Sequence, residues 1–180
     1  MNHKLFFLLT GLCLLLVSGC GYHNPYAAAA AKKQAPQTIH LAMWHNQTNE
    51  LGLESLIHQA LNDWLQQSKS FRLVGAEDGA EYQLSGRITN VDYPGASFSS
   101  FDQAKTLNAI VKVEYELKDK TGKKVLPLNI FAREHTYDVA PEAVRTQSNK
   151  KKALNAIADE IAETIYISIF HTFSQKSIEE

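Results

Sequence analysis

The sequence has few cysteines, a nearly balanced charge and no apolar run long enough for an anchor helix. The two cysteines are Cys13 and Cys20, so at most one disulfide could form. The main apolar run, Leu5 to Val17, is shorter than the roughly 18 residues that a membrane-spanning helix needs. The formal net charge is −1, whereas nucleic acid recognition requires a basic face. These absences argue against a disulfide framework, an anchor helix and a nucleic acid partner.

The first twenty residues have the organisation of an export signal. Lys4 precedes the apolar run, and the small residues Ser18 and Gly19 precede Cys20. A positive start, a short apolar core and a small-residue cut site are typical of a secretory signal peptide. The cut site resembles a lipobox, in which the cysteine thiol receives a diacylglycerol and the released amine is usually acylated too. We therefore predict that residues 1–19 are a signal peptide and that Cys20 is the lipidated N-terminus, because two or three acyl chains anchor a protein stably.

The remaining chain is predicted to hold a tether, one domain and a short tail. Residues 20–37 are the lipidated N-terminus and tether, since the Ala27–Ala31 run lies in a low-complexity stretch. Gly21, where an aspartate would resemble an inner-membrane retention signal, favours the outer membrane. Periodic apolar patterns then continue through a single domain at 38–175, and 176–180 form the tail.

The apolar periodicity predicts a β-α-β-β-β-α order with an extra short strand. Helical spacing predicts helices over 51–68 and about 148–173, the second capped by Ser148. A change of phase near Thr89 and Asn90 predicts a β-bulge. Strands are predicted at 39–44, 71–74, 82–93, 107–117 and 126–137. The strand at 107–117 has one apolar and one charged face, so we predict an α+β fold with two helices packed on one face of a mainly antiparallel four-stranded sheet.

No catalytic or metal-binding constellation is visible in the sequence. The histidines of the predicted mature chain lack the helical spacing of metal ligands. The sequence contains no nucleophile elbow, phosphate loop or dinucleotide fingerprint, and Ser85 and Ser97–Ser100 have no placed base. We therefore predict no enzymatic activity, no cofactor and no metal site, and we expect the protein to act by binding.

The stretch from Pro94 to Lys105 is predicted to be a turn-rich loop with a binding role. It has no strand pattern, and it places Phe98 and Phe101 among serines. Exposed loop aromatics are typical of a partner contact. The alternative, that the two rings cover an edge or an end of the sheet, is equally compatible with the sequence.

Six segments carry a resemblance to a known family. They are Cys20-Gly21-Tyr22, Ile39–Trp44, Asn46–Glu54, Phe71–Val74, Ala80–Ile88 and Leu117–Gly122. The third segment has the pattern Asn-x-Thr-x-x-x-Gly-Leu-Glu. In order and spacing, these segments resemble LptE, a family of lipopolysaccharide-assembly lipoproteins, over nearly all of 20–170.

The resemblance implies an outer-membrane lipoprotein that plugs and supports the LptD β-barrel and helps to deliver lipopolysaccharide to the outer leaflet. It also implies that two helices pack on a four-stranded sheet and that basic residues near one sheet end bind lipopolysaccharide. Some members have an arginine in the loop that corresponds to 96–105, where this chain offers only Lys105. Arg145 and Lys150 are the other candidates. Arg145 is favoured because a guanidinium binds phosphate in a bidentate manner, although a solvated charge at a helix start explains it equally well.

Two other classes of protein are compatible with parts of the pattern. A lipoprotein activator of a peptidoglycan synthase also begins with a strand, an Asn-x-Thr sequence and a helix. It would need a longer tether than the predicted one, which spans roughly 50 Å when extended. A periplasmic hydrolase is disfavoured because no nucleophile–base pair can be named.

Overall fold

The structure describes the chain from Ala35 onward. In the computed structural model the described residues are 35–98, 100 and 103–179. The predicted signal peptide, Cys20, most of the predicted tether and Phe101 lie outside them. Among the described residues, no helix combines the length and apolar character needed to cross a bilayer.

The described residues form two helices and seven strands. The helices are α1 (Leu53–Gln66) and α2 (Ala143–Glu179). The strands are β1 (Gln37–Leu41), β2 (His45–Asn46), β3 (Phe71–Leu73), β4 (Tyr82–Asp92), β5 (Gly95–Phe98), β6 (Ala104–Asp119) and β7 (Lys124–Asp138). A short 3-10 helix, Ala76–Asp78, lies between β3 and β4.

All seven strands belong to one mixed sheet. β1 lies between β3 and β4 and is parallel to both, and β2 is parallel to a later part of β4. β6 is antiparallel to β4, β5 and β7. Since β4 and β5 pair with successive parts of one edge of β6, the strands occupy lateral positions in the order β3, β1 with β2, β4 with β5, β6 and β7.

The α+β class with two helices is confirmed, but the mainly antiparallel four-stranded sheet is wrong. The seven-stranded sheet contains three parallel pairings, β1 with β3, β1 with β4, and β2 with β4. The physical reason is the strand–helix–strand order at the start of the domain. α1 carries the chain back to the end of the sheet where β1 began, so β3 pairs with β1 in the parallel direction.

A single apolar core lies between the helices and one face of the sheet. α1 buries residues at helical spacing, and β6 buries alternate residues, as the sequence predicts. The fully buried members of these two elements include Ile57, Leu61, Leu65, Ala109, Val111, Val113 and Leu117, and α2 adds Ile157, Ile161, Ile165 and Ile169. Each buried aliphatic side chain contributes roughly 1.5–3 kcal/mol of transfer free energy, so this core holds the helices on the sheet.

The opposite face of the sheet carries ion pairs between neighbouring strands, with Ile130 exposed beside them. Arg87 on β4 forms an ion pair with Glu114 on β6 at 2.5 Å. Glu116 pairs with both Lys118 and Lys124, the latter at 3.3 Å. This face therefore stays in contact with water without an apolar cover.

The β-bulge predicted near Thr89 and Asn90 is confirmed. The register between β4 and β6 shifts between Ile88 and Asn90. The extra residue lets Ile88 and Val91 both face the core although they are three positions apart. The change of phase in the sequence was therefore a direct signal of this feature.

Two predicted strand boundaries are wrong. Residues 94–105 are not simply a loop, because β5 pairs with the start of β6 and continues the line of β4. β1 ends at Leu41, and the apolar alternation changes phase there. An unbroken strand over 39–44 would place Met43 on the same face as Ile39 and Leu41, with Trp44 on the other. Instead Trp44 is buried and Met43 is 64% exposed.

The second helix begins earlier than predicted. α2 starts at Ala143, so Ser148 lies inside the helix and does not cap it. Instead, the Thr146 hydroxyl accepts a hydrogen bond from the Ala140 amide at 2.9 Å and donates to the Ala140 carbonyl at 3.0 Å. These bonds fix the chain that leads into α2.

Candidate functional site

One end of the sheet carries four of the residues that the sequence singled out, Phe98, Lys105, Arg145 and Lys150. β4 and β5 run toward this end, β6 begins there, β7 ends there, and α2 begins just beyond. We call it the tip and define it by residues 47–52, 93–98, 103–108 and 136–150. It is held together by backbone bonds, including that from the Val139 amide to the Lys105 carbonyl at 2.8 Å.

All three predicted lipopolysaccharide-binding residues lie at the tip, but their surroundings differ. Lys105 and Arg145 are exposed. The Lys150 side chain retains only 20% exposure. Lys105 and Arg145 are thus accessible to an anion, whereas Lys150 is enclosed by neighbouring side chains.

Lys150 already has an anionic partner within the protein. Its Nζ lies 2.6 Å from Glu50 Oε2 and 4.3 Å from the centre of the Tyr93 ring. The Tyr93 hydroxyl donates a hydrogen bond to the same Glu50 oxygen. Burial, reinforced by the Glu50 carboxylate, raises the pKa of Tyr93 above its usual value. We call Glu50, Tyr93 and Lys150 the Glu50 cluster.

The Glu50 cluster joins three distant parts of the chain. Glu50 belongs to the loop before α1, Tyr93 follows β4, and Lys150 lies on α2. Glu50 and Tyr93 were not predicted as site residues, because residues so far apart show no common spacing. Only the pairing of β4 with β6 and the return of α2 bring them together.

The Asn-x-Thr pattern proves to be a structural motif that positions Glu50. The Asn46 amide donates to the Glu50 carbonyl at 2.8 Å and to Glu54 Oε2 at 2.7 Å. Its oxygen accepts from the amide and hydroxyl of Thr48 at 2.9 and 2.8 Å. The Asn46 bond lowers the pKa of Glu54. Since Gly52 provides no side-chain cap for α1, this network orders the chain leading into the helix.

The tip also exposes large apolar side chains beside its free cations. Leu51 is 91% exposed, Val144 83% and Phe98 57%. The Phe98 ring lies over Gly95, where an added Cβ would overlap the ring. Exposed apolar residues gathered at one place are characteristic of a contact surface. The tip thus combines apolar side chains with the cations Lys105 and Arg145.

The remaining surface offers less chemistry. Among the described residues, no group of three or more histidine, cysteine or acidic side chains is placed to hold a metal ion. A groove of about 610 Å³ lies between α1 and α2, and its lining reaches Lys151, next to the tip. Its floor includes Trp64, whose indole N–H donates to Asp159 Oδ1 at 2.9 Å, so its most distinctive polar group is already satisfied.

The mixed sheet with two helices and an amphipathic tip defines a small α+β domain. A family model described as LptE, lipopolysaccharide-assembly, matches residues 36–169. The chain belongs to the LptE family, and the resemblance seen in the sequence is confirmed. No curated protein matches the chain.

Solved structures share the fold at low sequence identity. Rare lipoprotein B from Shewanella oneidensis has a TM-score of 0.53 at 13% identity, covering 78% of this chain and 99% of that one. An uncharacterized lipoprotein B from Nitrosomonas europaea has a TM-score of 0.54 at 10% identity, covering 78% and 88%. A protein from Xanthomonas campestris has a TM-score of 0.55 at 12% identity, covering 80% and 89%. At these identities the likeness concerns the fold alone.

Proposed function

We propose that this protein is a lipid-anchored outer-membrane component of lipopolysaccharide assembly that plugs and supports an LptD-like β-barrel. In this role it helps to deliver lipopolysaccharide to the outer leaflet and catalyses no reaction. The observation that carries the proposal is the family match across 36–169, which spans the whole sheet, α1 and most of α2. The anchor is the acylated Cys20, after removal of residues 1–19.

The polar face of the sheet supports a place inside a barrel. Side chains that point into a large outer-membrane barrel are polar and face water. The open face of this sheet carries the Arg87–Glu114 ion pair, and the Asn108 amide donates a hydrogen bond to Glu134 at 2.9 Å. The face is not wholly polar, because Ile130 lies beside Glu114 and is 52% exposed. The ion pairs let the rest of the face lie against a wet, polar wall.

The tip supplies the proposed contacts with the ligand and the barrel. Arg145 and Lys105 are assigned to lipopolysaccharide phosphates, because both are exposed at the tip and arginine binds phosphate in a bidentate manner. Lys150 is assigned second, because it can reach a phosphate only by leaving Glu50. Phe98, together with Phe101 outside the described residues, is assigned to the barrel contact.

The proposal is tested by purifying an affinity-tagged form of the protein from outer membranes. We expect a large β-barrel to be recovered with it, and we expect depletion of the protein to lower surface lipopolysaccharide. Recovery of a peptidoglycan synthase in place of a barrel would instead establish the alternative function. Mass spectrometry of the N-terminal peptide tests the anchor, and an unmodified thiol at Cys20 would contradict it.

The structure offers no observation that favours the peptidoglycan synthase activator. The Asn-x-Thr sequence, which that class shares, orders the loop before α1 through Asn46 and Thr48. A motif with such a structural task can recur in proteins with different partners, so it does not discriminate between the two functions.

A further inference from the structure

The tether joins the domain at the end of the sheet opposite the tip. Ile39 of β1 is in register with Tyr82 of β4, which is in register with Asp119 of β6. The start of β1 therefore lies level with the β6–β7 turn and two strand spacings away, about 10 Å. We call this end, with Gln37 and the turn at 119–124, the entry end.

The β6–β7 turn is bonded to the start of the domain. The Lys120 amide donates to the Glu81 carbonyl at 2.9 Å. The Glu81 carboxylate in turn accepts from the Thr38 amide at 3.1 Å. The turn is therefore held beside the first residues of β1, and it moves with them.

The turn has an excess of positive charge. Residues 116–124 carry four lysines and two carboxylates, a net charge of +2. Both carboxylates are occupied locally, because Glu116 pairs with Lys118 and Lys124, and Asp119 accepts from the Thr121 and Lys123 amides at 2.8 and 3.0 Å. Lys120 and Lys123 are exposed at the outermost part of the turn.

Two other carboxylates near the entry end keep their negative charge but are hydrogen-bonded to neutral groups. Glu81 accepts from Thr38, and Asp78 accepts from the Gly75 amide at 2.9 Å. Neither forms an ion pair with Lys120 or Lys123 among the described residues. The ammonium groups of these two lysines therefore point to solvent and can meet an external anionic surface.

We propose that Lys120 and Lys123 hold the entry end against the anionic phospholipid headgroups of the membrane that carries the lipid anchor. The inference rests on the proposed acylation of Cys20, since the tether brings this end of the sheet toward the bilayer. An acyl anchor and a basic patch act as two cooperating signals, and each lysine near an anionic surface strengthens binding about fivefold. The tip, with Phe98 and Arg145, then faces away from that surface.

The test uses the acylated mature protein in vesicles of phosphatidylcholine with or without phosphatidylglycerol. A fluorophore is attached at Q67C, at the entry end, or at V144C, at the tip. These labels are specific because the only other cysteine of the mature chain is Cys20, whose sulfur carries lipid. Quenchers fixed to lipid headgroups then report which end of the domain lies at the membrane.

We expect phosphatidylglycerol to increase quenching at position 67 and leave position 144 unchanged. For the double variant with Lys120→Gln and Lys123→Gln, we consider the ratio of domains held at the membrane surface to domains free of it. This ratio should fall by about 25-fold. The matched control, Lys151→Gln with Lys152→Gln on α2, changes the same charge and should retain the wild-type response.

Results that contradict the membrane contact of Lys120 and Lys123 can be distinguished from results that contradict the proposed function. Quenching at position 144, an equal effect of both double variants, or no effect of phosphatidylglycerol on acylated protein would overturn this inference alone. An absent acyl group, shown by mass spectrometry, would overturn the inference and the proposed anchor together. No barrel is present in the experiment, so failure to recover one from cells has no bearing on the result.

Discussion

The indole of Trp44 lies directly against Gly86, and a Cβ added at Gly86 would come 2.5 Å from Trp44 Cζ2. Trp44 is only 2% exposed, so its ring has no space into which to retreat. The segment between β1 and β2 is thereby fixed over the centre of β4. A glycine in the interior of a strand often marks such a close approach, and here the approaching group is an aromatic ring.

The Gly86→Ala variant should lower the free energy of unfolding by about 1–3 kcal/mol, because it overpacks a filled site. Urea denaturation measures this change, with Ser85→Ala as the control, expected within about 0.5 kcal/mol of wild type. In a double-mutant cycle, Trp44→Leu should remove much of the added cost. If Gly86→Ala and Ser85→Ala were equally stable, the Trp44 ring would not restrict the size of the residue at position 86.

The Asn46→Ala variant should destabilise the domain by about 1–3 kcal/mol, because it removes hydrogen bonds to Glu54, Glu50 and Thr48. The pKa of Glu54 is lowered by Asn46 from 4.5, so its carboxylate adds stability above pH 4.5 that is lost as the pH falls below that value.

Denaturation curves from neutral pH to about pH 3 would check both effects. The variant should show a weaker acid dependence than wild type. Asn62→Ala, which removes a bond to Gln66 within α1, is the control and should change stability little. A matching loss in both asparagine variants would argue against the motif's structural role.

The Tyr93→Phe variant should reduce the loss of stability at alkaline pH. The folded protein raises the pKa of Tyr93 from 10.0, so the neutral phenol contributes stability that is complete below pH 10 and declines as the pH rises above it. Phenylalanine cannot ionise, although it forfeits about 0.5–1.5 kcal/mol at neutral pH with the lost hydrogen bond.

Free energies of unfolding measured between about pH 8 and pH 11 would separate the effect of Tyr93 ionisation from that of the lost hydrogen bond. The curves of wild type and Tyr93→Phe should converge at the upper end. Tyr82→Phe serves as the control and should decline in parallel with wild type. Parallel curves for Tyr93→Phe as well would contradict the assignment of the alkaline loss to this hydroxyl.

Arg145→Gln and Lys150→Gln should have different consequences despite removing the same charge. Arg145 is exposed, so its substitution should weaken lipopolysaccharide binding and leave stability within about 0.5 kcal/mol. Lys150→Gln leaves the enclosed Glu50 carboxylate without its cation, and we expect it to lower the free energy of unfolding by about 1–3 kcal/mol. Binding assays with purified lipopolysaccharide, paired with urea denaturation, would detect the difference; the reverse pattern would make Lys150 the ligand contact.

The Phe98→Ser variant should lower recovery of the barrel partner severalfold without unfolding the domain. Phe98 is 57% exposed, and the comparably exposed Met43 (64%) lies away from the tip, so Met43→Ser is a matched control. Co-purification from outer membranes, normalised to the amount of each variant, measures the effect. If both variants recover the barrel equally, the contact lies elsewhere.

The sequence predicted those elements whose signals are local. The alternation along β6 and the helical spacing in α1 identified their buried faces, and the phase change after Ile88 identified the bulge. β5 was missed because Gly95 to Phe98 has no alternation, since all four residues are exposed. Its strand conformation comes from pairing with β6, which no local pattern reveals.

The sequence by itself determined the α+β class, the apolar faces of α1 and β6, and the family, because each depends on residue types at short, regular spacing. The tertiary structure alone decided that the sheet is mixed, that Glu50 forms an ion pair with Lys150, and that the Trp44 ring lies over Gly86. The physical reason is that strand direction and long-range ion pairs depend on how the chain returns through space. The Glu50 cluster joins a loop, a strand end and a helix that meet only after the sheet has formed and α2 has packed on it.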